Sequence, residues 1–190
     1  MKRIKLKRAI FIGVRYEACV AFCRIMRNYG YEVLVVTLKG SLIHKKRSQF
    51  KSESIKILPH NKSVALSVVY ELLKSADYKI LLSVGFPFIL PKEFFSFKTL
   101  LVNSHPHLLP KYKGARVISE SYKKKEKNYG VTTHWMTEDV DGGKILVRRR
   151  MVFLPKQKSD LDSLYELLFA FLEPAVVIET LAFLKQKALL

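Results

Sequence analysis

Asn103 and His105 stand two positions apart at the head of the stretch Asn103-Ser104-His105-Pro106-His107-Leu108-Leu109-Pro110-Lys111-Tyr112-Lys113-Gly114. On a strand, positions two apart point the same way. They would set an amide donor beside an ionisable imidazole, a pairing suited to stabilising a developing oxyanion while a proton moves. Two prolines and a glycine then fix an irregular loop. A second stretch, Asp139-Val140-Asp141-Gly142-Gly143, sets a carboxylate before paired glycines, which let a backbone approach a ligand closely. Asp141 lies 36 residues beyond His105 (141 − 105), so only the fold can join them. Each residue alone has a plain reading. Asn103 would end a strand, His105 would be a satisfied structural histidine, and Asp141 would be the aspartate of an Asp-Gly turn.

The elements that must position these groups follow from apolar patterning. Arg8–Gly13, Glu32–Leu38, Ile55–Leu58, Tyr78–Ser83 and Thr99–Asn103 read as strands. The second, Glu-Val-Leu-Val-Val-Thr-Leu, is apolar almost throughout, as expected of a parallel strand buried on both faces. Glu17–Asn28 and Ser63–Ser75 have helical spacing, and a short helix over Pro91–Phe95 would start on proline. Lys39–Ser54 is polar, basic and without period, and reads as a loop. A helix over Val117–Lys124 precedes two strands, Tyr129–Met136 and Lys144–Phe153. Ser159 or Asp160 caps a long C-terminal helix. Strand alternating with helix predicts an α/β fold with a doubly wound, mostly parallel open sheet, and the whole of 1–190 is expected to form one domain. Ligands of such sheets bind beyond the carboxyl ends of the strands, which is where Asn103 and His105 fall.

The chain has 34 Lys and Arg against 16 Asp and Glu, a net charge of +18. That balance favours acidic partners such as phosphorylated metabolites or polyanionic cofactors. No RNA-binding motif with interleaved aromatics accompanies it, so nucleic acid is the less favoured partner. Cys19 and Cys23, four apart on a helix, lack further ligands at metal-site spacing and read as buried free thiols; no metal is expected. The basic then apolar start meets Arg15 and Glu17 without a cleavage signature. Glu166, Glu173, Glu179 and Pro174 interrupt the apolar C-terminal run, so no membrane span is expected and the location is read as cytoplasmic. The sequence leaves oligomeric state open.

Three motifs in order resemble the 10-formyltetrahydrofolate-dependent formyltransferase family: Asn-Ser-His-Pro-His-Leu-Leu-Pro-Lys-Tyr-Lys-Gly at 103–114, Gly-Val-Thr-Thr-His-Trp at 130–135 and Asp-Val-Asp-Gly-Gly-Lys-Ile-Leu at 139–146. Together they overturn the plain readings above. The resemblance implies a Rossmann-like formyltransferase fold with 10-formyltetrahydrofolate as co-substrate. It also implies roles. Asn103 would bond the formyl oxygen, and His105 would be the acid or a cation beside the oxyanion. Asp141 would orient the incoming amine or a water, relay its proton and support the charge on His105. Phe86, Pro87, Phe88, Ile89 and Leu90, with Asp139, Val140 and Gly142, would hold the folate. Arg15 and Gly114 would face the acceptor.

His107 departs from the family's usual serine. Like His44, it is read as a surface or loop residue. His134 is read as a packed or supporting histidine rather than a catalytic one. Gly13-Val14-Arg15-Tyr16-Glu17 replaces the Gly-Ser-Asn-rich phosphate loop of the glycinamide ribonucleotide enzymes. Neither the C-terminal barrel of the transfer-RNA formylating members nor the N-terminal regulatory domain of the hydrolases is expected here. The favoured expectation is therefore an N-formyltransferase acting on a small phosphorylated amine, first of all a nucleotide-linked amino sugar. Glycinamide ribonucleotide and formyltetrahydrofolate hydrolysis are the alternatives within the enzyme class. A non-catalytic basic nucleic-acid-binding module is the alternative outside it.

Overall fold

A computed structural model describes residues 7–75, 77–154 and 160–190. Seven strands form one sheet: β1 (Lys7–Gly13), β2 (Tyr31–Leu38), β3 (Ser54–Leu58), β4 (Tyr78–Val84), β5 (Leu100–His105), β6 (Asn128–Trp135) and β7 (Ile145–Val152). Their order is β3-β2-β1-β4-β5-β6-β7, parallel from β3 to β5 and antiparallel at β5–β6 and β6–β7. The strand order turns at β1 and β4, and the loops leaving these two strands open a crevice at the carboxyl edge.

Side-chain alternation splits the core in two. Ala9 and Phe11 of β1 face α1 (Tyr16–Asn28), packing with Phe22, Met26 and Val35. Ile10 and Ile12 face the other way, toward Ala65 and Val69 of the helix at Lys62–Ser75. On β5 the same alternation places Val102 in the first layer and Leu101 in the second. Asn103 and His105 therefore share the face of Leu101, and Ser104 shares that of Val102. A third cluster joins Val117 and Ile118 to Tyr129, Leu164 and Leu168 beneath the far end of the sheet.

Two regions differ from expectation. The Lys39–Ser54 segment contains a one-turn helix at Leu42–Lys45 and a 3-10 turn at Arg47–Gln49. Ser41 caps the first by accepting the His44 amide at 3.1 Å, and Ile43 is fully buried. One turn is too short to show a hydrophobic period. The C-terminal helix is continuous over Asp160–Gln186 but runs as α-helix to Glu166, π-helix over Leu167–Leu172 and α-helix again from Glu173. Pro174 has no N–H for the preceding turn, and a π turn absorbs such a break. Ser159, the alternative cap, lies outside the described residues, as does the basic start at 1–6. Asp160–Gln186 is long and apolar enough by composition to cross a membrane. Here Val176, Val177, Leu181 and Leu184 are fully buried against the protein. Cys19 and Cys23 are buried free thiols with sulfurs 4.0 Å apart, and burial pushes the Cys19 thiol up.

Candidate active site

The fold closes the gap between the two stretches. Asp141 sits at φ 53, in the left-handed region that aspartate tolerates better than most residues. From there Oδ2 lies 3.2 Å from His105 Nδ1 and accepts the Gly114 amide at 2.8 Å. Its other oxygen lies 3.4 Å from Asn103 Nδ2 and 3.3 Å from His134 Nε2. Burial alone would raise the Asp141 pKa. The hydrogen bonds from His105 and His134, the His105 charge and the Gly114 amide outweigh it, and the carboxyl is held well below the usual carboxylate range.

His134 pairs directly with Asn103 in the antiparallel β5–β6 register. Its Nδ1 is 2.9 Å from the Trp135 carbonyl and donates there, while Nε2 faces Asn103 Nδ2 at 3.2 Å. Asn103 Nδ2 thus has two partners inside the protein, His134 Nε2 at 3.2 Å and the longer contact to Asp141 Oδ1 at 3.4 Å. The expectation for His134 holds in that it is buried and supports its neighbours. It also lines the cavity, which sequence alone did not indicate. His105 Nε2 faces the Tyr112 carbonyl at 2.7 Å.

The cavity beside these groups has a volume of about 440 Å³. Phe86, Pro87, Phe88, Ile89 and Leu90 line it, as do Val140, Arg15 and Gly114. The Phe86 and Phe88 rings meet edge to face at 5.3 Å. Asp139 and Gly142, two of the expected folate contacts, stand beside the cavity lining rather than in it. Asp139 is not part of the wall; it is exposed and pairs with Lys113 at 3.2 Å. Gly142 is absent from the wall too. A Cβ there would fall 1.8 Å from the Asp139 carboxylate, and one at Gly143 would fall 1.8 Å from the Trp135 carbonyl. Both glycines are needed for close approach to the protein itself. His107 lies in a loop, as one of its two readings had it, but not at the surface: it is buried, with Nδ1 accepting the Leu108 amide at 2.8 Å, and burial together with His105 pushes its pKa down to about 4. His44 is half-buried and accepts the Gly40 amide at Nδ1.

Sequence reading missed Glu173, which lines the cavity and is 1 % exposed. One oxygen accepts Ser104 Oγ at 2.9 Å, and the other has no protein partner. Burial raises its pKa to about 7 against the opposing pull of Arg15 and the Ser104 bond. The Arg15 guanidinium stacks 3.4 Å from the Phe169 ring centroid. The available signal was a single acid within the apolar run Leu167–Val177. Among the described residues no group of three or more His, Cys, Asp or Glu could hold a metal ion.

A mostly parallel sheet with an amide, an imidazole and an ionised carboxylate converging at its carboxyl edge defines an α/β protein equipped to handle a polarised carbonyl. The chain belongs to the formyl transferase family, whose model matches residues 13–181. It is 32% identical over 134 residues to the trifunctional purine biosynthetic protein adenosine-3 of Drosophila melanogaster, covering 67% of this chain and 10% of that one. It is 28% identical over 193 residues to the methionyl-tRNA formyltransferase of Caldanaerobacter subterraneus, covering 96% of this chain and 61% of the relative. The chain therefore spans about a tenth of the first relative's length and about three-fifths of the second's. The crystal structure of phosphoribosylglycinamide formyltransferase from Bacillus halodurans superposes with a TM-score of 0.78 at 20% identity, covering 95% and 97% of the two chains.

Proposed function

We propose that this chain transfers the formyl group of 10-formyltetrahydrofolate to a primary amine. One observation carries the reading: the Asp141 carboxylate lies within 3.4 Å of both Asn103 and His105, at the wall of a cavity that the Phe86–Leu90 loop also lines. The folate pterin fits against Phe86–Leu90 and Val140. The amine nitrogen attacks the formyl carbon, and the carbonyl electron pair moves to oxygen. The Asn103 N–H that rests 3.4 Å from Asp141 turns to that oxygen and donates to it, and the His105 ring supplies positive charge beside it. Asp141, held ionised, accepts an N–H of the incoming amine and orients it. As the tetrahedral intermediate collapses, the C–N10 bond breaks and the proton lost by the amine ends on N10. The products are a formamide and tetrahydrofolate, and the fold contributes orientation and electrostatics.

Arg15 and Glu173 mark the acceptor side, a cation for a phosphate and a carboxyl for a hydroxyl or amine. Glycinamide ribonucleotide replaces the nucleotide-linked amino sugar as the first acceptor, because the relatives above include a purine-synthesis protein and a phosphoribosylglycinamide formyltransferase. Arg15 would then take the place of the usual phosphate loop. The test offers 10-formyltetrahydrofolate with glycinamide ribonucleotide, a nucleotide-linked amino sugar, methionyl-tRNA or water alone, and follows tetrahydrofolate release. Turnover with the ribonucleotide supports the reading. Turnover with water alone would make the chain a hydrolase. Absence of folate binding beside salt-sensitive RNA binding would favour the basic module.

A further inference from the structure

The loop between His105 and Gly114 contains a strained residue that the mechanism above does not use. Tyr112 has φ 57, a backbone state that costs a residue with a Cβ free energy and that glycine adopts freely. Its side chain is held from several directions. The ring lies 4.4 Å from the buried His107 ring, and the hydroxyl donates to Glu126 Oε2 at 3.1 Å. The same Glu126 oxygen takes Lys111 Nζ at 2.6 Å, and the ammonium groups of Lys111 and Lys124 stand 5.2 and 5.4 Å from the ring centroid. The backbone state so fixed turns the Tyr112 carbonyl onto His105 Nε2 at 2.7 Å, opposite Asp141 at Nδ1. Two acceptors on opposite nitrogens match the donor pattern of an imidazolium, since a neutral ring has one N–H and can serve only one of them.

We propose that Tyr112 is a positioning residue for the transfer step, its clamped left-handed backbone holding the carbonyl that fixes the His105 ring as a donor on both nitrogens. This rests on the formyl-transfer reading for its kinetic consequence, but not for its structural one. His107, where the family usually has serine, is part of the clamp.

The test uses Tyr112→Phe, Tyr112→Gly and Tyr112→Ala in the full chain, with transfer kinetics and nitrogen-15 histidine spectra that report the two ring N–H groups of His105. Phenylalanine keeps the ring contacts, and kcat should stay within about threefold of wild type. Glycine loses the clamp but pays nothing for the left-handed backbone, whereas alanine loses the clamp and bears that cost. Glycine should therefore exceed alanine in kcat by about fivefold or more, with the folate KM steady throughout. Alanine should also lose the protected Nε2–H signal of His105 while keeping the one on Asp141. A residue needed only for packing gives the reverse order, alanine at or above glycine. That order, or both ring signals intact in the alanine variant, overturns the proposal. If alanine prevents folding, Tyr112→Asn against Tyr112→Leu makes the same comparison. Asparagine tolerates the left-handed state and should be the more active, and leucine at or above asparagine would count against the clamp. If wild type transfers no formyl group, the functional reading fails on its own, and the ring signals still decide the role of Tyr112.

Discussion

Replacing Glu173 with glutamine should make the protein more stable at pH 8 while changing it little at pH 4.5. The carboxyl is 1 % exposed, and burial raises its pKa from 4.5 to about 7 despite Arg15 and Ser104. A carboxyl whose folded pKa lies above its unfolded value binds its proton more tightly in the native state. The stability it contributes is fully present below pH 4.5 and is lost as pH rises through about 7. Two and a half pH units at about 1.36 kcal/mol each give roughly 3 kcal/mol as the most that can be lost across that window. Glutamine keeps the shape and can still accept the Ser104 hydroxyl, but it has no proton to lose. Urea unfolding of both proteins, without ligand, at half-unit intervals from pH 4.5 to 8.5 gives the difference directly. The variant should gain on wild type progressively between pH 4.5 and 7, then hold a constant lead. A difference that stays flat across the range, or a wild type that gains as pH rises, would refute the assignment of a buried, destabilised carboxylate.

Asp141→Asn should show the opposite sign. Its pKa is held low, so the stability it contributes is present above pH 3.8 and is lost as pH falls toward the folded value. The variant should be less stable by about 1–3 kcal/mol at pH 7, with the gap narrowing in acid, as chemical denaturation at several pH values will show. Gly143→Ala would drive a methyl into the Trp135 carbonyl. It should cost about 2 kcal/mol or more of stability and lower kcat through displacement of Asp141, as paired thermal melts and rate assays would report. His134→Ala removes a partner of both Asn103 and Asp141. It should lower kcat about tenfold or more with the folate KM nearly unchanged, and a rise in KM alone would point to a binding role instead.

Much of this architecture was legible because two kinds of signal agreed. The apolar strands gave the parallel sheet, and Asn103 and His105 on alternate positions gave a common face at its edge. The Phe86–Leu90 wall was legible as a loop leaving the fourth strand. The rest depends on distance rather than pattern. Glu173 looks like any helix carboxylate until Ser104, on the opposite face of the same strand as Asn103, is seen to hold it. His107 appears exposed in a proline-bounded loop, yet that loop folds inward and accepts its own amide through the ring. That Gly142 and Gly143 pack against the Asp139 carboxylate and the Trp135 carbonyl is a tertiary fact that an acid next to glycines does not announce. The one-turn helix at Leu42–Lys45 and the π turn at Leu167–Leu172 are shorter than any window that could reveal their period.

The most direct test of the central claim is single-turnover transfer from 10-formyltetrahydrofolate by wild type and by Asn103→Ala, with folate affinity measured on the same samples. A side chain that meets the formyl oxygen only as charge develops should leave folate affinity within about threefold and slow the chemical step by about a hundred- to a thousandfold. An unchanged chemical rate in the alanine variant, or a loss confined to folate binding, would contradict the convergence of Asn103, His105 and Asp141 on a reacting carbonyl.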